Sequence, residues 1–276
     1  MKNIVLFLLF LNSSFLLGQH TVSVRDKNTN KAIAYASVLK DEKVYTTADS
    51  LGIFQVDAKS LKGIFTISSV GYASKTVSIS ASDSVIYLEK EVVQLPEMEI
   101  HARKNKKKFV IGKAKRGDIV VVCGQSDNQT EEMGKFFKNP TGGVLFLKKF
   151  KFNTFASTKN RIVNILFYSV KETGEPDKVI NTENIICKLR KGNHTTEVDV
   201  SKMDIEMPKE GIFIVVQYLL LEENRQYSEK NKDSYFYEPS IEANYTEGYT
   251  DSWYRQDTVW KKNNGISLNF QLVLTD

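Results

Sequence analysis

The side chains best suited to recognition chemistry are aromatic and lie between Tyr227 and Trp260. This stretch holds both tryptophans of the chain and alternates its rings with Asn, Asp, Glu and Arg. Exposed rings beside polar groups can stack on sugar faces and hydrogen-bond the hydroxyls, and they are also typical of protein interfaces. We therefore predict a binding face for a protein or glycan partner, formed by Tyr249, Trp253, Tyr254 and Trp260. The alternative is a long polar loop whose rings pack against the edge of a β-sandwich.

Catalytic motifs are missing from the sequence. The chain has 3 histidines, and none has a Glu or His at the spacing that zinc ligands require. It has no Gly-x-Ser-x-Gly elbow and no phosphate loop, and no motif marks a pair of glycosidase carboxylates. We predict no catalytic residues, no metal, no cofactor and no enzymatic activity. The alternative is a hydrolase that acts on envelope or dietary polysaccharide.

The two cysteines, Cys123 and Cys187, each lie in an apolar run typical of a strand. An exported chain could join them in a disulfide, while a buried free thiol is also ordinary in such runs. A bridge needs Cα atoms within about 7 Å, a distance that sequence alone does not give. Both states therefore remain open.

The N-terminus has the pattern of a secretory signal peptide. A basic start at residues 1–3 precedes an apolar run at 4–10, and the segment turns polar at 18–20. The run is too short and too interrupted to span a bilayer, which needs about 20 apolar residues. We predict a signal peptide at residues 1–19 and no transmembrane segment after its cleavage. The mature chain would be periplasmic, associated with the outer membrane, or secreted.

Composition and charge are those of a folded soluble protein. Hydrophobic residues make up 41% and charged residues 26% of the 276 residues, and the net charge is +5. This charge is too dispersed to predict a nucleic-acid partner. The densest basic run, residues 103–108, predicts a solvated linker at 101–116, with an anionic surface or polymer as the alternative partner.

Residues 20–100 read as short β-strands separated by turns. Four elements, residues 22–26, 34–38, 49–54 (DSLGIF) and 69–72 (SVGY), resemble the carboxypeptidase-regulatory-like domain. The segment 95–100 resembles the one that commonly leaves this domain in outer-membrane proteins. The resemblance implies a seven-stranded transthyretin- or immunoglobulin-like sandwich that itself cleaves nothing. It also implies structural roles for Gly52, Phe54 and Tyr72.

Residues 117–276 predict a second β-sandwich, of jelly-roll-like kind. Residues 266–274 have an almost unbroken period of two, and residues 161–170 and 211–221 are apolar and suit central strands. Residues 130–138 read as a short helix or an irregular crossover. Part of this half is similar to a region often fused to the regulatory-like domain in exported proteins of uncharacterised role, which implies no activity.

These observations together predict an all-β, two-domain, exported protein. We expect a non-enzymatic binding or assembly module of the bacterial cell envelope that recognises a protein or a glycan. A purely structural spacer is the further alternative, if the aromatic rings are buried.

Overall fold

The computed structural model describes residues 19–91, 103–114, 120–125, 130–229, 234–245, 247–256 and 258–276, with the backbone alone at 120–125 and 130. Within these ranges the fold is all-β, as predicted, with two one-turn 3₁₀ helices at Ala58–Ser60 and Glu222–Asn224. No helix of the described ranges is long and apolar enough to cross a membrane. The predicted signal peptide at 1–19 lies outside them except for Gln19, and so does the exit segment 95–100.

The first sandwich has seven strands in two sheets, as predicted. Strands β4, β1 and β7 form one sheet in that order, and β3, β2, β5 and β6 form the other. Their bounds are β1 Gln19–Asp26, β2 Ser37–Lys40, β3 Lys43–Thr47, β4 Ile53–Asp57, β5 Phe65–Ser69, β6 Tyr72–Val77 and β7 Val85–Leu88. Alternate residues such as Val22 and Val24 on β1 and Phe65 and Ile67 on β5 are fully buried between the sheets.

The turn before β4 explains residues 49–54, one of the elements that resemble the carboxypeptidase-regulatory-like domain. The Asp49 carboxylate accepts hydrogen bonds from the backbone N–H groups of Leu51, at 2.8 Å, and Ile53, at 2.9 Å. Gly52 has φ +71°, and a Cβ there would lie 2.9 Å from the carbonyl oxygen of Ile33. The turn therefore requires glycine, and it delivers Phe54 to the core, where it is 3% exposed.

The second sandwich is larger. Its bounds are β8 Lys108–Gly112, β9 Val120–Gln125, β10 Thr130–Phe137, β11 Phe146–Ala156, β12 Ile162–Val170, β13 Pro176–Val179, β14 Ile185–Lys188, β15 Gly192–Asp199, β16 Ile212–Tyr218, β17 Arg225–Tyr227, β18 Tyr235–Tyr245, β19 Ser252–Gln256, β20 Val259–Asn263, β21 Ile266–Leu268 and β22 Phe270–Thr275. One sheet, here the outer sheet, has the order β13-β12-β16-β10-β19-β20 with β14 on β12. The other has the order β17-β18-β11-β22-β8, with β15 on β11 and with β9 and β21 on β18.

The core of the second sandwich lies between these two sheets. Phe150, Phe152 and Phe270 pack with ring centroids 5.0–6.1 Å apart, and side chains such as Ile165 and Ile214 reach them from the outer sheet. The chain passes repeatedly from one sheet to the other, as in a jelly-roll-like sandwich.

The expectation of a helix or crossover at residues 130–138 is wrong, because Thr130–Phe137 is a strand between β16 and β19. Met133 and Phe137 face the core, while Phe136 packs on the opposite face. The sequence of this strand does not alternate between apolar and polar residues, because both faces carry a charged residue, Glu132 on one and Lys135 on the other.

The predicted linker at 101–116 also contains a strand. Lys108–Gly112 pairs with β22, and the described residues before it are attached to the second sandwich. Arg103 donates to the carbonyl of Ser201 at 2.5 Å and lies 4.8 Å from the Phe146 ring centroid. The second sandwich therefore starts earlier than residue 117, because β8 completes the edge of its sheet.

The two sandwiches contact each other at the turn before β6 and the end of β3 in the first, and at the outer sheet and the segment after β16 in the second. Val70 packs against the cluster that includes Leu166 and Phe213 on this sheet. The hydroxyl of Thr47 accepts a hydrogen bond from the Leu220 N–H at 2.9 Å. Apolar and polar contacts together hold the junction.

Candidate functional site

The structure does not bring the four predicted aromatic residues into one site. Trp253 and Tyr254 are neighbours on β19, so their side chains point to opposite faces of the sheet. Trp253 and Trp260 lie on the outer face, Tyr254 packs against the main core, and Tyr249 lines a separate cleft. The predicted binding face is therefore split over three places.

The two tryptophans are packed against the outer sheet. Trp253 stands opposite Gly134 and reaches the Phe213 ring, with centroids 6.1 Å apart and the planes perpendicular. Trp260 meets the Tyr168 ring in the same way at 5.6 Å. Both side chains are half-buried. This arrangement favours the packing alternative for these two rings.

A buried ionic network lies beside the tryptophans. The Arg255 guanidinium lies 3.0 Å from a Glu131 oxygen and 2.7 Å from a Glu132 oxygen. The Tyr168 hydroxyl donates to Glu132 at 2.9 Å. Burial raises the pKa of Glu132, against the opposing effect of Arg255. These two carboxylates are engaged by Arg255 and enclosed, which is not the open pair that glycoside hydrolysis uses.

The most distinctive polar site is a cleft of about 180 Å³ between the two sheets of the second sandwich. Its polar lining comes from Lys113, Lys135, Asn244, Asp251, Ser267 and Asn269, and the exposed Tyr249 lines it as well. These residues belong to several strands and loops far apart in sequence. Folding of the second sandwich alone assembles the cleft.

Lys135 is held inside this cleft by three contacts. Its ammonium donates to the Ser267 hydroxyl at 2.7 Å and to the Leu268 carbonyl at 2.9 Å, and it lies 3.4 Å from an Asp251 oxygen. The Ser267 hydroxyl donates in turn to Asp251 at 2.9 Å. Burial lowers the pKa of Lys135, and the Asp251 carboxylate acts in the opposite direction. The cleft thus presents a paired lysine and carboxylate.

Asn269 is the exceptional residue of the cleft. It is 1% exposed, and neither its amide oxygen nor its amide nitrogen has a hydrogen-bond partner among the described residues. Its backbone N–H donates to the Glu242 carbonyl at 3.0 Å. Native proteins satisfy nearly all buried polar groups, and an unsatisfied one costs about 1–3 kcal/mol. A buried amide that lines a cleft and has no hydrogen-bond partner indicates that a ligand entering the cleft supplies these hydrogen bonds.

Sequence reasoning identified only Tyr249 in this cleft. Lys135 and Asn269 carry no local motif, and a lysine between Gly134 and Phe136 reads as a surface residue. Asn269 gives no signal either, because it takes a polar place in the alternation with Ser267 and Gln271 and reads as a solvent-facing residue. The other cleft residues are brought together by pairing between strands that are distant in sequence.

Cys187 is buried on β14 of the outer sheet, and burial raises the pKa of its thiol to about 11. The backbone of Cys123 lies on β9 in the other sheet, and its side chain is outside the described residues. The disulfide between them therefore stays a prediction.

Metal-binding geometry is missing from the described part of the chain, where no group of three or more His, Cys, Asp and Glu side chains could hold an ion. His20 contacts the Asp83 carbonyl at 2.6 Å, and His194 contacts the Lys191 carbonyl at 2.8 Å. His101 lies outside the described residues.

Comparisons with known proteins give weak likenesses only. No family model matches the chain, and no curated protein matches it. The cysteine protease and lectin-like domains of Cwp84, a surface layer associated protein of Clostridium difficile, align with 9% identity and a TM-score of 0.43 over 92% of this chain and 54% of that one. A clostridial Cwp84 cysteine protease after propeptide cleavage aligns with 9% identity and a TM-score of 0.43 over 96% of this chain and 67% of that one. A structure of infectious bursal disease virus aligns with 9% identity and a TM-score of 0.26 over 94% of this chain and 56% of that one.

The chain thus spans about half the length of the first of these structures. At such TM-scores these likenesses carry no information on ligand or activity. The function has to be argued from the site itself.

Proposed function

We propose that this protein is a non-enzymatic binding module of the bacterial cell envelope, exported through its N-terminal signal sequence. Recognition resides in the second sandwich, and the first sandwich is a docked interaction or spacer unit. The observation that carries the proposal is the cleft with the buried, unpartnered amide of Asn269. A preformed concave site with a few convergent polar groups is the usual form of a binding site.

The chemistry of the cleft favours binding over catalysis. A serine nucleophile needs a base that accepts its proton. The Ser267 hydroxyl already donates to Asp251, and the Lys135 ammonium donates to Ser267, so the lysine acts as a donor there. Asp251 also stabilises the charged form of this lysine. These groups are arranged to hold a ligand.

A hydrolase is the rival function, and the contact of 2.7 Å between Lys135 and Ser267 is what favours it. It predicts release of a reporter group from aryl esters or aryl glycosides, with loss of this activity in Ser267→Ala. We expect no such release. Turnover that is abolished by Ser267→Ala would replace the binding proposal with the hydrolase.

Binding is tested with the mature chain, residues 20–276, against a glycan panel and, by crosslinking, against envelope proteins of the source cell. A cleft variant, Lys113→Ala with Tyr249→Ala, removes exposed side chains and is expected to weaken binding without unfolding the protein. The matched variant, Val259→Ala, removes an exposed apolar side chain from the outer sheet and should bind normally. If neither class of partner binds the wild type, the proposal fails and the spacer alternative remains.

Export is tested independently. Expression of the full chain in a Gram-negative host should give a shortened protein in the periplasmic or outer-membrane fraction. N-terminal sequencing is expected to place the new terminus near His20, at the start of β1. A full-length cytoplasmic product would contradict this part of the proposal.

A further inference from the structure

We infer that the cleft of the second sandwich binds a single sugar ring, with the Asn269 amide hydrogen-bonded to its hydroxyls and the Tyr249 ring against its face. This inference rests on the proposed binding function and deepens it by naming the ligand class. It makes Asn269, Tyr249 and Asp251 the recognition residues, with Lys135 holding Asp251 in place. The sequence-based choice of Trp253 and Trp260 is not part of this site.

The argument begins with the amide. An asparagine side chain offers two donors on nitrogen and an acceptor on oxygen, held in one plane. At Asn269 both atoms are buried and unpartnered. Neighbouring sugar hydroxyls each donate and accept, so two of them can engage the nitrogen and the oxygen together.

The remaining lining extends the same pattern. The three N–H donors of Lys135 are engaged by Ser267, Leu268 and Asp251, and they hold the Asp251 carboxylate in place as an acceptor at the cleft. Tyr249 is 41% exposed, so its ring is available to an incoming ligand. A ligand with many hydroxyls and a flat apolar face satisfies both the polar groups and the ring.

Size and charge narrow the class further. The volume of the cleft is about 180 Å³. It is below the range of about 300–1,000 Å³ that holds drug-sized ligands. One ring fits, as the terminal or branching unit of a glycan. Asp251 offsets the charge of the buried Lys135, and the other lining cation, Lys113, is exposed to solvent, so the cleft offers a phosphate or another strong anion no buried unpaired cation.

The test uses the mature chain and methyl glycosides of glucose, galactose, mannose and N-acetylglucosamine. Saturation-transfer NMR detects binding, and titration calorimetry measures Kd. We expect at least one of these sugars to bind. Asn269→Leu should weaken it by about tenfold or more, since two hydrogen bonds are lost. Tyr249→Ala, at an exposed position, should weaken it by about threefold to tenfold.

Trp260→Leu serves as the matched variant on the outer sheet and should keep the wild-type Kd. If sugar binding survives both cleft variants, or is lost in Trp260→Leu alone, the inference is overturned while the proposed binding function stands. If no methyl glycoside binds but an envelope protein crosslinks, the inference is also overturned and the function stands. If neither partner class binds, both are overturned.

Discussion

Two buried asparagines of the second sandwich, Asn224 and Asn269, illustrate the difference between a structural and a recognition residue. The Asn224 amide accepts from the Ile162 N–H at 2.9 Å and donates to the carbonyls of Ile162 and Leu219, both at 2.8 Å. It ties β12 to the segment before β17, and every polar atom of its side chain is used. The Asn269 amide has no such partners among the described residues.

This difference gives opposite expectations for the same substitution. Asn269→Leu should leave the free energy of unfolding unchanged or raise it by about 1–2 kcal/mol, because it removes an unsatisfied buried amide. Asn224→Leu should lower it by about 2–4 kcal/mol, because it leaves backbone groups unpaired. Urea unfolding measures both. A loss at Asn269 as large as that at Asn224 would show that its amide is structural and would weaken the case for the cleft.

Reactivity of Cys187 follows from its burial. The thiolate is the reactive form, and burial raises the pKa of this thiol to about 11. In a Cys123→Ser variant, which leaves one thiol, we expect almost no reaction with a disulfide reagent at pH 8 in the native state. The rate should rise with pH toward 11 and increase sharply in urea. Fast native-state labelling at pH 8 would contradict the buried position.

At the scale of elements, the outer sheet depends on a glycine that makes room for its neighbours. A Cβ at Gly134 on β10 would lie 2.8 Å from a methyl group of Val215 on β16. On the other side, Trp253 of β19 extends past this gap to the Phe213 ring. The tryptophan thereby covers the part of the strand that lacks a side chain. Its ring is a packing element of the sheet.

Trp253→Ala is therefore expected to lower the free energy of unfolding by about 2–3 kcal/mol, somewhat below the cost for a fully buried aromatic residue. Tyr249→Ala removes a ring of comparable type from an exposed position and should change it by no more than about 0.5 kcal/mol. Chemical denaturation of both variants decides the matter. Similar losses for the two would mean that Tyr249 is also a packing residue.

The parts of the fold that could be predicted from the sequence are those where the side-chain pattern is local. Strands with an unbroken alternation, such as β22, and the turn at Gly52 follow from periodicity and turn chemistry. Strand β10 was missed because both of its faces carry charge, and because the partners of its buried Lys135, which are Asp251, Ser267 and Leu268, are all more than 100 positions away. The cleft was missed for the same reason, since its contacts are all long-range.

At the scale of the whole molecule, residues 69–72, another element that resembles the carboxypeptidase-regulatory-like domain, lie at the contact between the two sandwiches. Val70 packs on the outer sheet. Gly71 has φ +80°, and a Cβ there would lie 2.5 Å from the Thr182 carbonyl oxygen. The Asn184 amide donates to the Ala34 carbonyl at 3.2 Å nearby. The motif that resembles a domain signature therefore also forms the interface, and the sequence of the first domain alone does not reveal this.

Gly71→Ala should separate the unfolding of the two sandwiches. The added methyl group would clash with the carbonyl oxygen of Thr182 in the other sandwich. Because this oxygen belongs to the backbone, a change of side-chain rotamer cannot relieve the clash. Both tryptophans, Trp253 and Trp260, lie in the second sandwich, so their fluorescence reports on that sandwich, whereas far-UV circular dichroism reports on both. In the wild type we expect the two urea transitions to coincide, and in Gly71→Ala we expect the fluorescence midpoint to differ from the dichroism midpoint.

The matched variant is Gly142→Ala, where φ is +66° and nothing lies within 4 Å of the added Cβ. It carries the backbone strain of a left-handed residue, about 1–2 kcal/mol, without any steric contact. Its transitions should shift together to lower urea and stay coincident. Coincident transitions in Gly71→Ala as well would mean that the turn is not what couples the sandwiches. The junction would then depend on the hydrogen bond between Leu220 and Thr47 and the contacts around it.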